Sequence, residues 1–131
     1  MNAKIIGYWA TTGLVSFAVL ASGIGKLTRQ QPLVESMEAL GYPIYMMSIL
    51  GVWYVLAAVA LLMPGAARLK EWAYAGVTFA FSGALASHIS VADGEYAAPI
   101  VLLALTAASW ALRPSSRTLT AADIAPALAA K

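Results

Sequence analysis

Four stretches of the chain, residues 5–25, 39–67, 72–92 and 96–112, contain no Asp, Glu, Lys or Arg, and all eight basic and six acidic residues lie in the gaps between them. The hydrocarbon core of a bilayer is about 30 Å thick, and a crossing helix rising about 1.5 Å per residue needs roughly 20 apolar residues. Three stretches reach that length, and the fourth comes close once its aromatic ends are placed at the interface. The pattern predicts an all-α, four-helix antiparallel transmembrane bundle over residues 1–112, followed by a mobile cytoplasmic tail over 113–131.

Composition narrows the chemistry. Hydrophobic residues make up 61% of the chain and charged residues 11%, against about 45–50% and about 25% in soluble domains. The net charge of +2 is small and scattered, which argues against nucleic acid as a partner and for loop charge that orients the chain in a membrane. The absence of cysteine excludes disulfides and thiolate chemistry within the chain. A single histidine excludes the usual His/Cys zinc sets, so no metal is expected. Neither a Gly-rich phosphate loop nor a serine nucleophile elbow is present. Lys4 and the apolar run up to Ala21 have the outline of a signal peptide. With three further stretches following, the segment reads as an uncleaved first helix.

Antiparallel crossings put both termini on one side, together with Lys4, Arg68, Lys70, Arg113, Arg117 and Lys131. The other side holds Lys26 and Arg29 with the acids Glu35, Glu38, Asp93 and Glu95. The Lys/Arg excess marks the cytoplasmic face, so a bacterial inner membrane with both termini inside is expected. Tyr8, Trp9, Trp72, Tyr74 and Trp110 fall near the inner interface, and Tyr42, Tyr45 and Tyr96 near the outer one. Between Lys26 and Gly41 a short amphipathic surface helix is predicted. Gln31-Pro32 starts it, Leu33, Met37 and Leu40 form its apolar face, and Gly41 stops it. Pro64-Gly65 ends the second span, Asp93-Gly94 turns into the fourth, and Pro126 is expected to interrupt any helix in the tail.

The segment Leu-Lys-Glu-Trp-Ala-Tyr-Ala-Gly with Ser-Gly-Ala-Leu-Ala-Ser-His, within residues 69–88, resembles the DoxX-like family of small bacterial membrane proteins. Leu40-Gly41-Tyr42-Pro43, Ile49-Leu50-Gly51-Val52-Trp53 and Ala60-Leu61-Leu62-Met63-Pro64-Gly65 are similar to it as well, and the resemblance covers roughly residues 5–112. It implies a four-helix membrane fold, with relatives linked to quinone-coupled thiol or sulfur oxidation and to membrane-protein assembly. Members most similar to this chain carry a lysine where it has Tyr54 and an aspartate where it has Ala80. Both positions lie about eight or nine residues from the inner ends of their spans, hence at matching depth. Loss of both charges together is physically consistent, since a lone one would cost several kcal/mol.

Two groups of site residues follow. Lys26, Ser22, His88, Asp93, Glu35 and Glu38 are candidates for an outward pocket suited to a polar headgroup or a quinone ring, with His88 moving a proton. The competing role for His88 is a neutral interhelical hydrogen bond. Trp53 and Tyr54, at mid-depth, are candidates for stacking on a membrane ligand, against a simpler role filling the bundle. Gly76, Ala80, Gly83 and Ala84 are expected to pack helices within the chain, with a homodimer seam as the alternative. Arg68, Lys70 and Glu71 are expected in the inner loop, the basic pair meeting headgroups.

The favoured function is a non-catalytic accessory or scaffold subunit of a membrane redox or assembly system, with membrane lipids and a membrane-protein partner, and a quinone or lipid as the only cofactor in view. Two alternatives are a small quinone-dependent or lipid-modifying enzyme using His88 and Lys26, and a small-solute carrier or channel. The last is weakest, because no continuous polar path crosses the spans.

Overall fold

The computed structural model describes residues 2–130, and within them every regular element is helical. Lys131, counted above among the inner charges, lies outside the described residues. Helix α1 spans Ala3–Leu27, α2 Gln31–Ala39, α3 Tyr45–Leu62, α4 Ala67–Val91 and α5 Ala97–Ala111. A 3-10 turn at Ser115–Arg117 then leads to α6, Ala121–Ala129. The four long helices thus fall on the four charge-free stretches.

α1 lies against α3 and α5, and α4 lies against the same two helices. Side chains at every third or fourth position turn inward: Val15 and Val19 from α1, Tyr54, Ala58 and Leu61 from α3, and Tyr74, Val77 and Phe81 from α4. Leu102, Leu103 and Leu105 of α5 close this core. The outward faces are apolar too, with Phe17, Trp53, Trp72 and Phe79 all more than 60% exposed. The interior meanwhile holds the hydroxyls of Thr12, Ser16, Thr106 and Ser109. Such an arrangement suits helices solvated by lipid on the outside.

Taken singly, α1 and α3 are long and apolar enough to cross a membrane. α4 has the length, but its first two turns carry Arg68, Lys70 and Glu71, and Ser82, Ser87, His88 and Ser90 dilute its far half. α5, with 15 residues, reaches only about 22 Å. It meets the same test only together with the segment Ser115–Ala129, from which it is bent by 113°.

Local chemistry sets the boundaries. Asn2 accepts from the Ile5 N–H at the start of α1, one of the donors a helix leaves free. Pro32 sits in the first turn of α2, where its missing N–H costs nothing, and Gly41, at φ +79°, follows its end. Met37 is the buried residue of α2, flanked by half-buried Leu33 and Leu40, as the amphipathic pattern requires. The tail departs from expectation, because Pro126 lies inside α6 rather than breaking it. The N–H and the hydroxyl of Thr120 both donate to Asp123 Oδ2. This capping arrangement fixes the first turn of α6, while Pro126, its sixth residue, lies beyond that turn and removes one backbone donor from the helix.

The tightest helix contact also lies elsewhere than expected. A Cβ built on Gly23 would stand 3.0 Å from Tyr54 Cβ and 3.1 Å from the Gly51 carbonyl, so α1 and α3 cross with their backbones nearly touching. Gly76 and Gly83 have nothing within 4 Å of such an atom. The small residues Gly76, Ala80, Gly83 and Ala84 therefore do not seat a neighbouring helix as a stripe. Of the four, Ala80 packs beside the core, Gly76 borders an open space between α3 and α4, and Gly83 is exposed.

Candidate functional site

A cleft of about 680 Å³ lies between α3 and α4. It runs from Leu50 past Tyr54 and Ala57 to Met63 on one wall, and from Leu69 and Trp72 past Gly76 to Ala80 on the other. Its lining is almost wholly apolar, which fits a long hydrocarbon or an isoprenoid better than a polar solute. The cleft exists because α4 presents Ala73, Gly76, Val77 and Ala80 to the larger side chains of α3, so the walls do not fill the space between them.

Tyr54 and Trp53 divide the roles proposed for them. Trp53 is 63% exposed and forms part of the outer rim. Tyr54 is buried, its ring meeting Phe81 edge-on at 6.3 Å between centroids. One side of Tyr54 lines the cleft, and Lys26 Nζ stands 5.0 Å from the centroid of its ring, within cation–π range. Tyr54 and Ala80 both line the cleft, so the two positions paired by depth in the sequence lie on facing walls.

The outward residues separate into smaller groups. Lys26 Nζ donates to Ser22 Oγ at 2.7 Å, one turn back on α1. His88 Nδ1 lies 2.7 Å from Asp93 Oδ2; with the carboxylate ionised, the imidazole is the donor. Asp93 Oδ1 also accepts from the Glu95 N–H. The His88 hydrogen bond first, and the Glu95 N–H second, hold the Asp93 carboxyl below the usual carboxylate range. Glu35 accepts from Gln31 on the surface helix, and Glu38 is exposed. No hydrogen bond or ion pair among the described residues joins Lys26 to His88, and neither lines the α3/α4 cleft. His88 thus closes the turn after α4 through Asp93.

At the end that carries both termini, the structure corrects the expected inner loop. Arg68, Lys70 and Glu71 belong to α4, and the Lys70 side chain is fully buried. Its ammonium donates to the carbonyls of Ala60, Met63 and Gly65, at 3.0 Å for Ala60. Arg117 donates to the carbonyls of Leu61 and Leu62 and to the Tyr8 hydroxyl. Two cations therefore satisfy the free C-terminal carbonyls of α3, where the helix dipole favours positive charge. Glu71 is ion-paired with buried Arg113 and accepts from Trp110 Nε1 at 3.1 Å. Arg113 also lies over the Tyr74 ring at 5.0 Å.

Beside this cluster, Thr12, Ser109 and Tyr74 form a buried hydroxyl chain with links of 2.6 and 2.7 Å. A smaller hollow of about 330 Å³ between α4 and α5, bordered by Glu71, Tyr74, Thr78, Thr106 and Trp110, adjoins it. Sequence reasoning missed these residues because charges near span ends read as headgroup contacts. The available signal was Trp110 at the end of α5 and Arg113 just beyond it, opposite Glu71 at the start of α4. Among the described residues no group of His, Asp and Glu could hold a metal ion.

Neither a curated protein nor a solved structure matches the chain. Residues 10–109 match the DoxX-like family, to which the chain belongs.

Proposed function

We propose, from membership in the DoxX-like family, that this small membrane protein is a four-helix antiparallel transmembrane bundle of the bacterial inner membrane. In this reading α1, α3, α4 and α5 are the crossings, and both termini are cytoplasmic. The protein acts as a non-catalytic accessory or scaffold subunit of a membrane redox or assembly system. It holds one long apolar ligand, a quinone or a lipid, between α3 and α4.

The observation that carries this reading is the apolar cleft with an aromatic at either end, Trp53 and Trp72. Its 680 Å³ lies within the range of small-molecule sites, about 300–1,000 Å³. Trp53 and Trp72 offer π-faces to a ring, while the small side chains of Gly76 and Ala80 leave room for a chain. The Lys26 ammonium stands behind Tyr54, and among the described residues it has no carboxylate partner.

The test is a quinone titration of the purified protein in nanodiscs, read by tryptophan quenching. Saturable quenching that disappears in Ala80→Phe supports ligand holding, and a stoichiometric protein that co-purifies in mild detergent supports the accessory role. Quenching that rises only linearly, with the same slope in Ala80→Phe, contradicts the binding site. Turnover of a substrate by the isolated chain contradicts the non-catalytic role.

A further inference from the structure

The segment Ser115–Ala129, which ends in α6, turns away from α5 by 113°, closer to a right angle than to a return path. Where α5 crosses a bilayer, α6 therefore runs roughly along its surface. Its sequence is amphipathic at helical spacing: Ile124 and Leu128, at i and i+4, share one face with Ala121. Ala122, Pro126 and Ala129 lie on the other side. Ile124 and Leu128 are exposed, Leu128 at 69%, as is Leu119 just before the helix. No other part of the described chain covers them.

The helix is held in place from both ends of the preceding link. The Thr120–Asp123 cap fixes its first turn, and Arg68 donates to the Asp123 carbonyl. Arg113 and Arg117 pin the connecting segment to Glu71, Tyr8 and the end of α3. Charge at this end is mostly positive: Lys4 and Arg68 are exposed, Glu71 is committed to Arg113, and Asp123 beside Arg68 is the other acid among the described residues. Exposed apolar residues on a helix parallel to the surface, beside this excess of cations, match an anionic lipid interface.

We propose that α6 is an interfacial helix docked on the lipid surface. Leu119, Ile124 and Leu128 enter the acyl boundary, and Lys4 and Arg68 meet acidic headgroups. This rests on α5 crossing the bilayer, as proposed above.

The chain has no cysteine, so single spin labels can be placed at will in vesicles containing phosphatidylglycerol. The positions are Ile124→Cys, Leu128→Cys, Ala122→Cys and Ala129→Cys, with Val101→Cys on α5 as the reference for the crossing. The expected result is a collision rate with a water-soluble nickel chelate several-fold lower at 124 and 128 than at 122 and 129, with oxygen collisions higher. Equal nickel access at all four α6 sites, with Val101→Cys still shielded from nickel, overturns the interfacial helix and leaves the crossing standing. Shielding of 124 and 128 from both reagents also overturns it, pointing to protein as the cover. Nickel access at Val101→Cys overturns both readings.

Discussion

Ser109 joins three helices through one oxygen. Thr12 of α1 and Tyr74 of α4 both meet it, at 2.6 and 2.7 Å, and all three residues are buried. Interhelical hydrogen bonds in bilayers are worth about 0.6 kcal/mol on average and up to about 1.7. Ser109→Ala breaks two of them and leaves two hydroxyls unpaired, so a loss of about 1–3 kcal/mol is expected. Unfolding in SDS/lipid mixtures measures it. Adding Thr12→Val and Tyr74→Phe should recover most of the loss, because no orphan then remains. Asp93 supplies the pH-sensitive residue. Its folded pKa is depressed by His88 and the Glu95 N–H, so its support of the outer turn is complete above the ordinary aspartate value of about 3.9. That support is lost as pH falls through the lower folded value. Protection of the Glu95 amide from hydrogen exchange, relative to its intrinsic rate at each pH, should fall over that acid window in the native chain and show no such step in Asp93→Asn. Single-residue roles were the least legible part of the sequence. Lys70, Arg113 and Arg117 sit near span ends, where solvated and inward-turned cations look alike along the chain. Only the bent link after α5 brings Arg117 back onto the end of α3.

At the scale of elements, the reading from sequence was good wherever a boundary is set locally. Gln31-Pro32, Gly41 and Pro64-Gly65 act through their own backbones, and the helices begin or end beside each of them. Packing faces were harder to read. α4 has the denser run of small residues, yet the close crossing uses Gly23 and Gly51 on α1 and α3. Spacing within one helix cannot say which partner approaches. Gly23→Ala should cost about 1–3 kcal/mol through overpacking against Tyr54 and the Gly51 carbonyl. Gly76→Ala, with open space around it, should be neutral or raise stability by up to about 1 kcal/mol through helix propensity. Thermal unfolding of both variants in one detergent compares them directly.

For the whole molecule, the four charge-free stretches anticipated the number and place of the long helices. They did not anticipate that two of those helices fall short of a span when taken alone. α4 keeps Lys70 and Glu71 in its first turns because they meet the end of α3 and Arg113. α5 has only 15 residues, and the segment that follows it, anchored through arginines, bends away by 113°. The candidate site was legible in part: Tyr54 and Ala80 were matched by depth along their helices, and they meet in one cleft. The outward pocket was not, since Lys26 and His88 each bond to a near neighbour on their own segment.

The most direct measurement is labelling of single cysteines by an impermeant maleimide in sealed vesicles, at Glu38→Cys, Pro64→Cys, Glu95→Cys and Ser116→Cys, all exposed positions. Four crossings predict that 38 and 95 react from one face, and that 64 and 116 react only from the other. Reaction of 38 and 64 from the same face would contradict the account, because α3 would then not separate two aqueous sides.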